Sequence, residues 1–341
     1  MALTCVLALT AGAAWADTPE LKTGPAPFAV KVEIKPTAAP PAVTAKKDTK
    51  SQTAAKEGQQ AKAVESEKKI GINLASRILT LYEGDTKVRM YHVGVGKTST
   101  PTPTGYYAVQ YKEVNPTWVD PDDTSIQIGS GPDNPIGYRW IGFYGNYGIH
   151  GTNHPESIGG YVSNGCVRMK EADVEDLYQY VSVGTPVTVY YDRLVIDVDP
   201  DHTVSYYIYP DGYGWQSLSI AQVKKALAGY GVEDFADFQE ISDKINASDG
   251  NVTYIAKAYD LVVNGHKLAK RALGKNGQIY LPSVAVATAL NLDLQWNSQQ
   301  GILTSPYGIA PRYVKSDVVY MNAVDAYSLF HLKGELTPDY V

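Results

Sequence analysis

The 341-residue sequence predicts a mainly β protein with few helices: a mostly antiparallel β domain over residues 70–195, then a small α+β C-terminal part. Three observations lead there. Short runs rich in Val, Ile, Thr and Tyr recur between Gly, Pro, Asn and Asp, the mark of strands closed by tight turns. Tyrosine is present 26 times against five phenylalanines and five tryptophans, which suits half-buried sheets with wet edges, where a ring offers an apolar body and a polar tip. Before residue 196 one segment alone has clear helical periodicity. Hydrophobic residues at 44% and charged residues at 19% provide for a core, and the length suits two domains with some extra.

In chain order, residues 77–82 (RILTLY) and 88–93 (VRMYHV) read as paired strands around Glu83-Gly84-Asp85. Residues 106–111, 140–144 and 187–191 follow as short strands bounded by Gly or Pro. The helix lies before the last of these. Val174, Leu177, Tyr178 and Val181 fall at i, i+3, i+4 and i+7, Glu171 and Asp173 occupy the first turn, and Gly184 closes it. Residues 196–250 read as an α/β extension with a strand at 204–209 and helices near 220–228 and 232–245. Residues 251–341 form the small C-terminal part. Strands return there at 260–263, ahead of an Asn264-Gly265 turn, and at 278–281 after Asn276-Gly277, and residues 283–290 read as helix.

At the N-terminus an apolar run at residues 3–14 is too short to span a bilayer. Ala14-Trp15-Ala16 has the small-x-small form of a signal-peptidase site, so residues 1–16 read as a signal peptide, although no Lys or Arg precedes the run. The expected location is outside the cytoplasm, in the periplasm or cell wall, with no membrane span after cleavage. Residues 17–69 read as a disordered linker rich in Ala, Pro and Lys, with ten lysines against seven acidic residues and Phe28 as its one aromatic. A net charge of -6 argues against a nucleic-acid partner, which draws on a strongly basic face. The oligomeric state is not legible.

Cysteine constrains most. The chain has two, Cys5 and Cys166, which excludes a disulfide framework, a four-thiolate zinc site and a paired-thiol redox motif. Cys5 leaves with the signal segment. Cys166 closes the stretch IHGTNHPESIGGYVSNGCVRM at residues 149–169, sixteen residues after His150. A single cysteine with a histidine brought near by folding is the arrangement for thiolate attack on a carbonyl. A free thiol is mostly protonated at neutral pH, so an imidazole or a helix N-terminus is expected to shift it toward thiolate. The helix after Met169 is a candidate for that role, and backbone N–H groups of Gly165 and Cys166 are candidates for an oxyanion hole. Competing readings are a buried structural cysteine and a metal site of His150, His154 and Cys166. The metal reading lacks context: Gly151 follows His150 where a helical metalloprotease motif has Glu, and Pro155 breaks the helix that would align the histidines. A papain-like protease has the cysteine before the histidine, the reverse of this order. No metal and no cofactor is expected.

The stretch at 149–169 resembles the signature of the L,D-transpeptidase catalytic domain, in which His-Gly-Thr leads into Ser-x-Gly-Cys-hydrophobic-Arg. Two upstream segments, VGVGKTSTPTPTGYYAVQYKEVNPTW (93–118) and GPDNPIGYRWIGF (131–143), resemble the same family in the same order. The resemblance covers residues 70–195. It implies a β-sandwich-like domain that cross-links peptidoglycan stem peptides, with Cys166 as nucleophile, His150 as general base and Gly151 orienting the histidine through its carbonyl. It further implies that Ser163 and Gly165 shape the cysteine loop, and that Arg168, Ser163, Asn164 and Thr152 meet substrate. Many members have a second histidine where this chain has Asn164, which leaves that position a hydrogen-bonding role. The implied reaction is acyl transfer from a tetrapeptide stem through a Cys166 thioester. The alternatives are an L,D-carboxypeptidase, with water as acceptor, and a wall-binding module without turnover. Residues 251–341 weakly resemble the stalk-like domain named from copper amine oxidases, through LVVNGHKLAKRAL (261–273) and IYLPSVAVATALNLDLQW (279–296), with no copper site in His266 or His331.

Overall fold

The structure is a computed structural model that describes residues 67–337. The expected signal peptide and all but the last residues of the expected linker lie outside the described residues. The linker expectation runs slightly too far, because Lys68 and Lys69 already belong to a strand.

The first half consists of strands β1 (Lys68–Asn73), β2 (Ile78–Glu83), β3 (Thr86–His92), β4 (Val95–Gly96), β5 (Gly105–Ala108), β6 (Tyr111–Val114), β7 (Trp118–Val119), β8 (Gln127–Ile128), β9 (Arg139–Tyr144) and β10 (Tyr147–His150). Then come β11 (Tyr161–Ser163), β12 (Val167–Arg168), helix α1 (Glu171–Tyr180) and β13 (Pro186–Tyr190). One sheet has the order β3-β2-β1-β13-β5 and a second the order β12-β10-β9-β6. They share one core, in which Ile70, Ile72, Leu79, Leu81, Val187 and Val189 of the first meet Ile141, Phe143, Ile149 and Val167 of the second, with Val174 and Leu177 of α1 beside them. The domain is therefore mainly β and sandwich-like, as expected.

Two departures from expectation matter for the site. Residues 106–111 are not one strand but a corner. Val109 N–H donates to Thr185 O at 2.9 Å while Gln110 N–H donates to Gly142 O at 2.8 Å, so the chain leaves one sheet and enters the other between adjacent residues. The pairing is also less antiparallel than expected, because β1–β13, β4–β11 and β10–β12 are all parallel. A parallel pair needs a long crossover, and turn chemistry in the sequence says nothing about where one will land.

In the second half a seven-stranded antiparallel sheet runs Leu194–Val198, Thr203–Ile208, Thr253–Tyr259, Ala272–Lys275, Gln278–Pro282, Val318–Asn322 and Tyr313–Lys315. The expected seam at 250/251 crosses this sheet, since Thr203–Ile208 pairs directly with Thr253–Tyr259. Residues 196–250 and 251–337 are thus parts of one layered body. Leu194 and Val195, expected in the first domain, also open this sheet. The expected helix at 232–245 divides into a 3-10 turn, Glu233–Phe235, and a helix, Phe238–Ala247, because the Asp237 carboxylate accepts the N–H groups of Gln239 and Glu240 and starts a new helix there. The helices at Ile220–Ala228 and Ser283–Leu290 lie where the sequence puts them.

The two halves are fastened by the loop after Thr203–Ile208. Tyr213 joins the core of the first half and its hydroxyl donates to Gly96 O at 2.5 Å. Its ring packs on Tyr161 and Tyr191, at 4.8 and 5.4 Å between centroids. Arg193 holds the base of this loop through Tyr209 O, Gln216 O and Ser248 Oγ. Tyr213→Phe leaves a buried carbonyl without its donor and is expected to cost about 1–3 kcal/mol. Tyr213→Ala adds a cavity and is expected to cost about 3–5 kcal/mol. Thermal denaturation of the two variants tests this, and equal melting temperatures would mean that the ring fills no core space.

Candidate active site

The site is assembled by the parallel pair β10–β12, in which Ile149 faces Val167 and His150 faces Arg168. Cys166 is the residue before β12, so its loop lies beside the strand that ends in His150. Backbone bonds lock the arrangement: Met169 N–H donates to His150 O at 2.8 Å, and Arg168 exchanges bonds with Gly94 at 2.8 and 2.9 Å.

His150 is 3% exposed, and its ring stacks on Trp140, its cross-strand partner on β9, at 5.6 Å and 11°. Its Nδ1 lies 2.6 Å from Gly151 O. A carbonyl can only accept, so Nδ1 carries the proton and Nε2 keeps its lone pair. Burial, aided by the positive charge of Arg168, lowers the imidazole pKa to about 4, against the pull of the Gly151 carbonyl in the other direction. The ring is a neutral base at neutral pH.

Cys166 is half-buried, and its thiol donates to Asn146 O at 3.7 Å. Asn146 sits in the β9–β10 turn, and at the irregularity between Tyr147 and Gly148 the Gly148 N–H faces the sulfur. Burial pushes the thiol pKa up, and this outweighs Gly148 N–H and Arg168, which pull it down. The resting pair is therefore thiol and neutral imidazole, not the thiolate expected from the sequence. The helix expected to lower the thiol pKa starts only at Glu171, with acidic residues in its first turn.

The cysteine loop is pinned by Ser163. This side chain is buried; its hydroxyl donates to Cys166 O at 2.5 Å and accepts the Gly165 N–H at 3.0 Å. Two corrections follow. Ser163 works on the loop rather than on a ligand, and the Gly165 N–H is engaged, so it is not an oxyanion donor. The Cys166 N–H has no bond among the described residues and remains available. Gly165 has φ +115°, and a Cβ there would strike the Tyr147 ring, so only glycine lets the loop lie on that ring. Thr152 is buried and its hydroxyl accepts the His154 N–H at 3.1 Å. Asn164 stands exposed at the loop tip. Arg168 is half-buried, and its Nε is buried without a hydrogen-bond partner, a donor ready for an incoming acceptor. His154 is exposed and pairs with Glu156 at 3.0 Å.

The sequence reading did not single out Trp140, Asn146, Tyr147, Gly148 or Glu171. Each reaches the site through strand pairing or loop packing. The only local hint was the Gly145-Asn146 dipeptide between two aromatic runs, a hairpin signal joining β9 to β10.

Residues 67–189 match the family model of the L,D-transpeptidase catalytic domain. Over this segment the chain resembles that catalytic domain. YqjB of Bacillus subtilis, which bears an L,D-transpeptidase name, is 46% identical over 112 residues, 31% of this chain and 61% of that protein. The Escherichia coli protein ErfK/SrfK, also named as an L,D-transpeptidase, is 32% identical over 161 residues, 43% of this chain and 49% of that protein. The chain thus spans 49–61% of the length of these curated relatives. The catalytic domain of an E. faecium L,D-transpeptidase, solved by NMR, is 25% identical, with 37% of this chain and 99% of that one covered and a TM-score of 0.31. Among the described residues, no helix is long and apolar enough to cross a membrane.

The buried imidazole makes a prediction about pH. With a folded pKa of about 4 against 6.5, the unfolded chain binds the extra proton between these values, so stability falls as pH drops through this window. The loss from this group is about 3 kcal/mol. Denaturant titrations at pH 4 and pH 7 should show a smaller difference for His150→Gln than for wild type. Identical pH slopes would mean that His150 is not held neutral.

Proposed function

We propose that this chain is an exported cysteine L,D-transpeptidase that cross-links peptidoglycan by acyl transfer from a tetrapeptide stem. The observation that carries the reading is the state of His150, a neutral imidazole with Nδ1–H tied to Gly151 and Nε2 free, in the same sheet layer as a lone half-buried thiol. That combination suits a base that takes a thiol proton only when substrate is in place.

In the reaction, His150 Nε2 accepts the Cys166 proton as the sulfur attacks the carbonyl between the diamino acid and the terminal D-Ala of the donor stem. The Cys166 N–H stabilises the oxyanion. The imidazolium returns its proton to the leaving D-Ala amine, and a thioester remains. An amine from a second stem, deprotonated by His150, then resolves the thioester into a 3→3 cross-link. The unpaired Arg168 Nε supports a role in holding a stem carboxylate. Residues 251–341 serve in this reading to position the wall polymer, as their stalk resemblance implies.

Purified protein incubated with a disaccharide tetrapeptide is expected to give cross-linked dimers and free D-Ala. Intact mass should show a tripeptide thioester that is absent in Cys166→Ala. His150→Gln should slow turnover by about 10²–10⁴-fold. Tripeptide monomers without dimers would make the enzyme an L,D-carboxypeptidase. A wild-type protein that binds sacculi but forms no thioester would overturn the catalytic reading.

A further inference from the structure

Glu171 is the first residue of α1 and is half-buried. Its Oε1 accepts the Tyr138 N–H at 2.9 Å. Its oxygens also lie beside the Gly151–Thr152 peptide, whose N–H pulls the carboxyl pKa down. Its oxygens lie against the Cα atoms of Gly137 and Gly151, where a Cβ on either glycine would collide with them. Gly137 has φ +65°, so the loop before β9 is also shaped around this carboxylate. The remaining charges near it are Arg139, which favours its ionised form, and Glu175, which opposes it and is itself paired to Arg139 at 3.1 Å. Burial raises the carboxyl pKa and Glu175 adds to the rise, while the Tyr138 and Thr152 N–H groups and Arg139 offset part of it.

The Thr152 N–H and the Gly151 C=O are the two ends of one peptide group. The carboxylate lies beside the first end, and His150 Nδ1–H donates to the second at 2.6 Å. We propose that Glu171 is a positioning residue that acts on His150 through this peptide. The chain His150 Nδ1–H, Gly151 O=C, Thr152 N–H, Glu171 carboxylate is a three-part relay in which an amide replaces direct contact between acid and histidine. A negative charge at the N–H end polarises the peptide and places more negative charge on the carbonyl oxygen. That oxygen then holds the imidazole in the Nδ1–H tautomer and stabilises the imidazolium that forms when Nε2 takes the Cys166 proton. No bond is made or broken at Glu171. The proton moves only between Cys166 and His150 Nε2. The other groups facing the pair are Arg168, which opposes the imidazolium and favours the thiolate, the Trp140 ring on His150, and Asn146 O and Gly148 N–H at the sulfur.

This relay rests on the proposed role of His150 as base, but its test needs no stem peptide. Iodoacetamide alkylation of Cys166 is followed across pH by intact mass, and the Nδ1–H resonance of His150 is followed by proton NMR. Glu171→Gln keeps the shape and removes the charge. It should slow alkylation at pH 7 by about tenfold, because the rising limb of the profile moves up by about one pH unit, and should move the Nδ1–H resonance upfield. Glu171→Asp, which keeps the charge on a shorter arm, should restore the limb toward wild type. If Glu171→Gln does not fold, Glu171→Ala assayed with and without formate takes its place, with formate expected to restore the limb. A merely structural role would lower the melting temperature and leave limb and resonance in place. Either that outcome, or a limb that neither aspartate nor formate moves back, overturns the relay. Failure of wild-type protein to act on a tetrapeptide would sink the proposed function and leave these readouts intact.

Discussion

The parallel alignment of β10 with β12 is the constraint on which the site depends. Histidine and cysteine sit sixteen residues apart on a chain that turns, descends through a 3-10 turn at Pro155–Ser157, and pairs its strand β11 with β4 before it returns. Only when Ile149 meets Val167 in the ladder do the two reactive side chains share a neighbourhood. Both of these anchoring residues are fully buried in the core between the sheets, so the geometry of the reactive pair is set by hydrophobic packing beneath it. The polar locks above, from Ser163 to the cysteine loop and from Gly151 to the imidazole, refine a position that the core has already chosen.

The same packing decides the electrostatics. Burial drives His150 and Cys166 in opposite directions, the imidazole toward neutrality by lowering its pKa and the thiol toward neutrality by raising it. Desolvation penalises whichever form is charged, and here it prevails over Arg168 and the local backbone dipoles. The pair rests uncharged, and in the proposed reaction the free energy of charging it is deferred to the moment when a substrate supplies an oxyanion and the proposed Glu171 relay its share of the counter-charge. A thiol kept protonated is also a poorer nucleophile toward adventitious oxidants.

Much of this was legible in the sequence, and the limits have physical causes. The helix from Glu171, the hairpin around Gly84 and the helix Ser283–Leu290 follow from local periodicity and turn residues, so short windows reveal them. The neighbouring placement of His150 and Cys166, with Nδ1 bonded to the Gly151 carbonyl, was legible because all three lie in one compact motif. The corner at Val109 and Gln110 was not, since both neighbouring segments have strand character and only the partner carbonyls, Thr185 O and Gly142 O, say which sheet each joins. Gly165 was misread as an oxyanion donor because a hydroxyl two residues away claims its N–H, a choice between backbone rotations that residue types do not encode. Glu171 looked like an ordinary first-turn acid, and nothing in its own segment reveals that two distant glycines have been hollowed to receive it.

The fastening by Tyr213 has a consequence for where this protein begins and ends as a unit. The family match stops at residue 189, yet a ring contributed from residue 213 is part of the same core, and its hydroxyl meets the strand that pairs with the one leading into the cysteine loop. The border drawn by common ancestry and the border drawn by cooperative folding therefore fall in different places. A chain cut at the first would lose a plug from its interior, so the smallest portable version of this domain extends past the Tyr213 loop. Any recombination of this domain with foreign neighbours has to carry that borrowed tyrosine along.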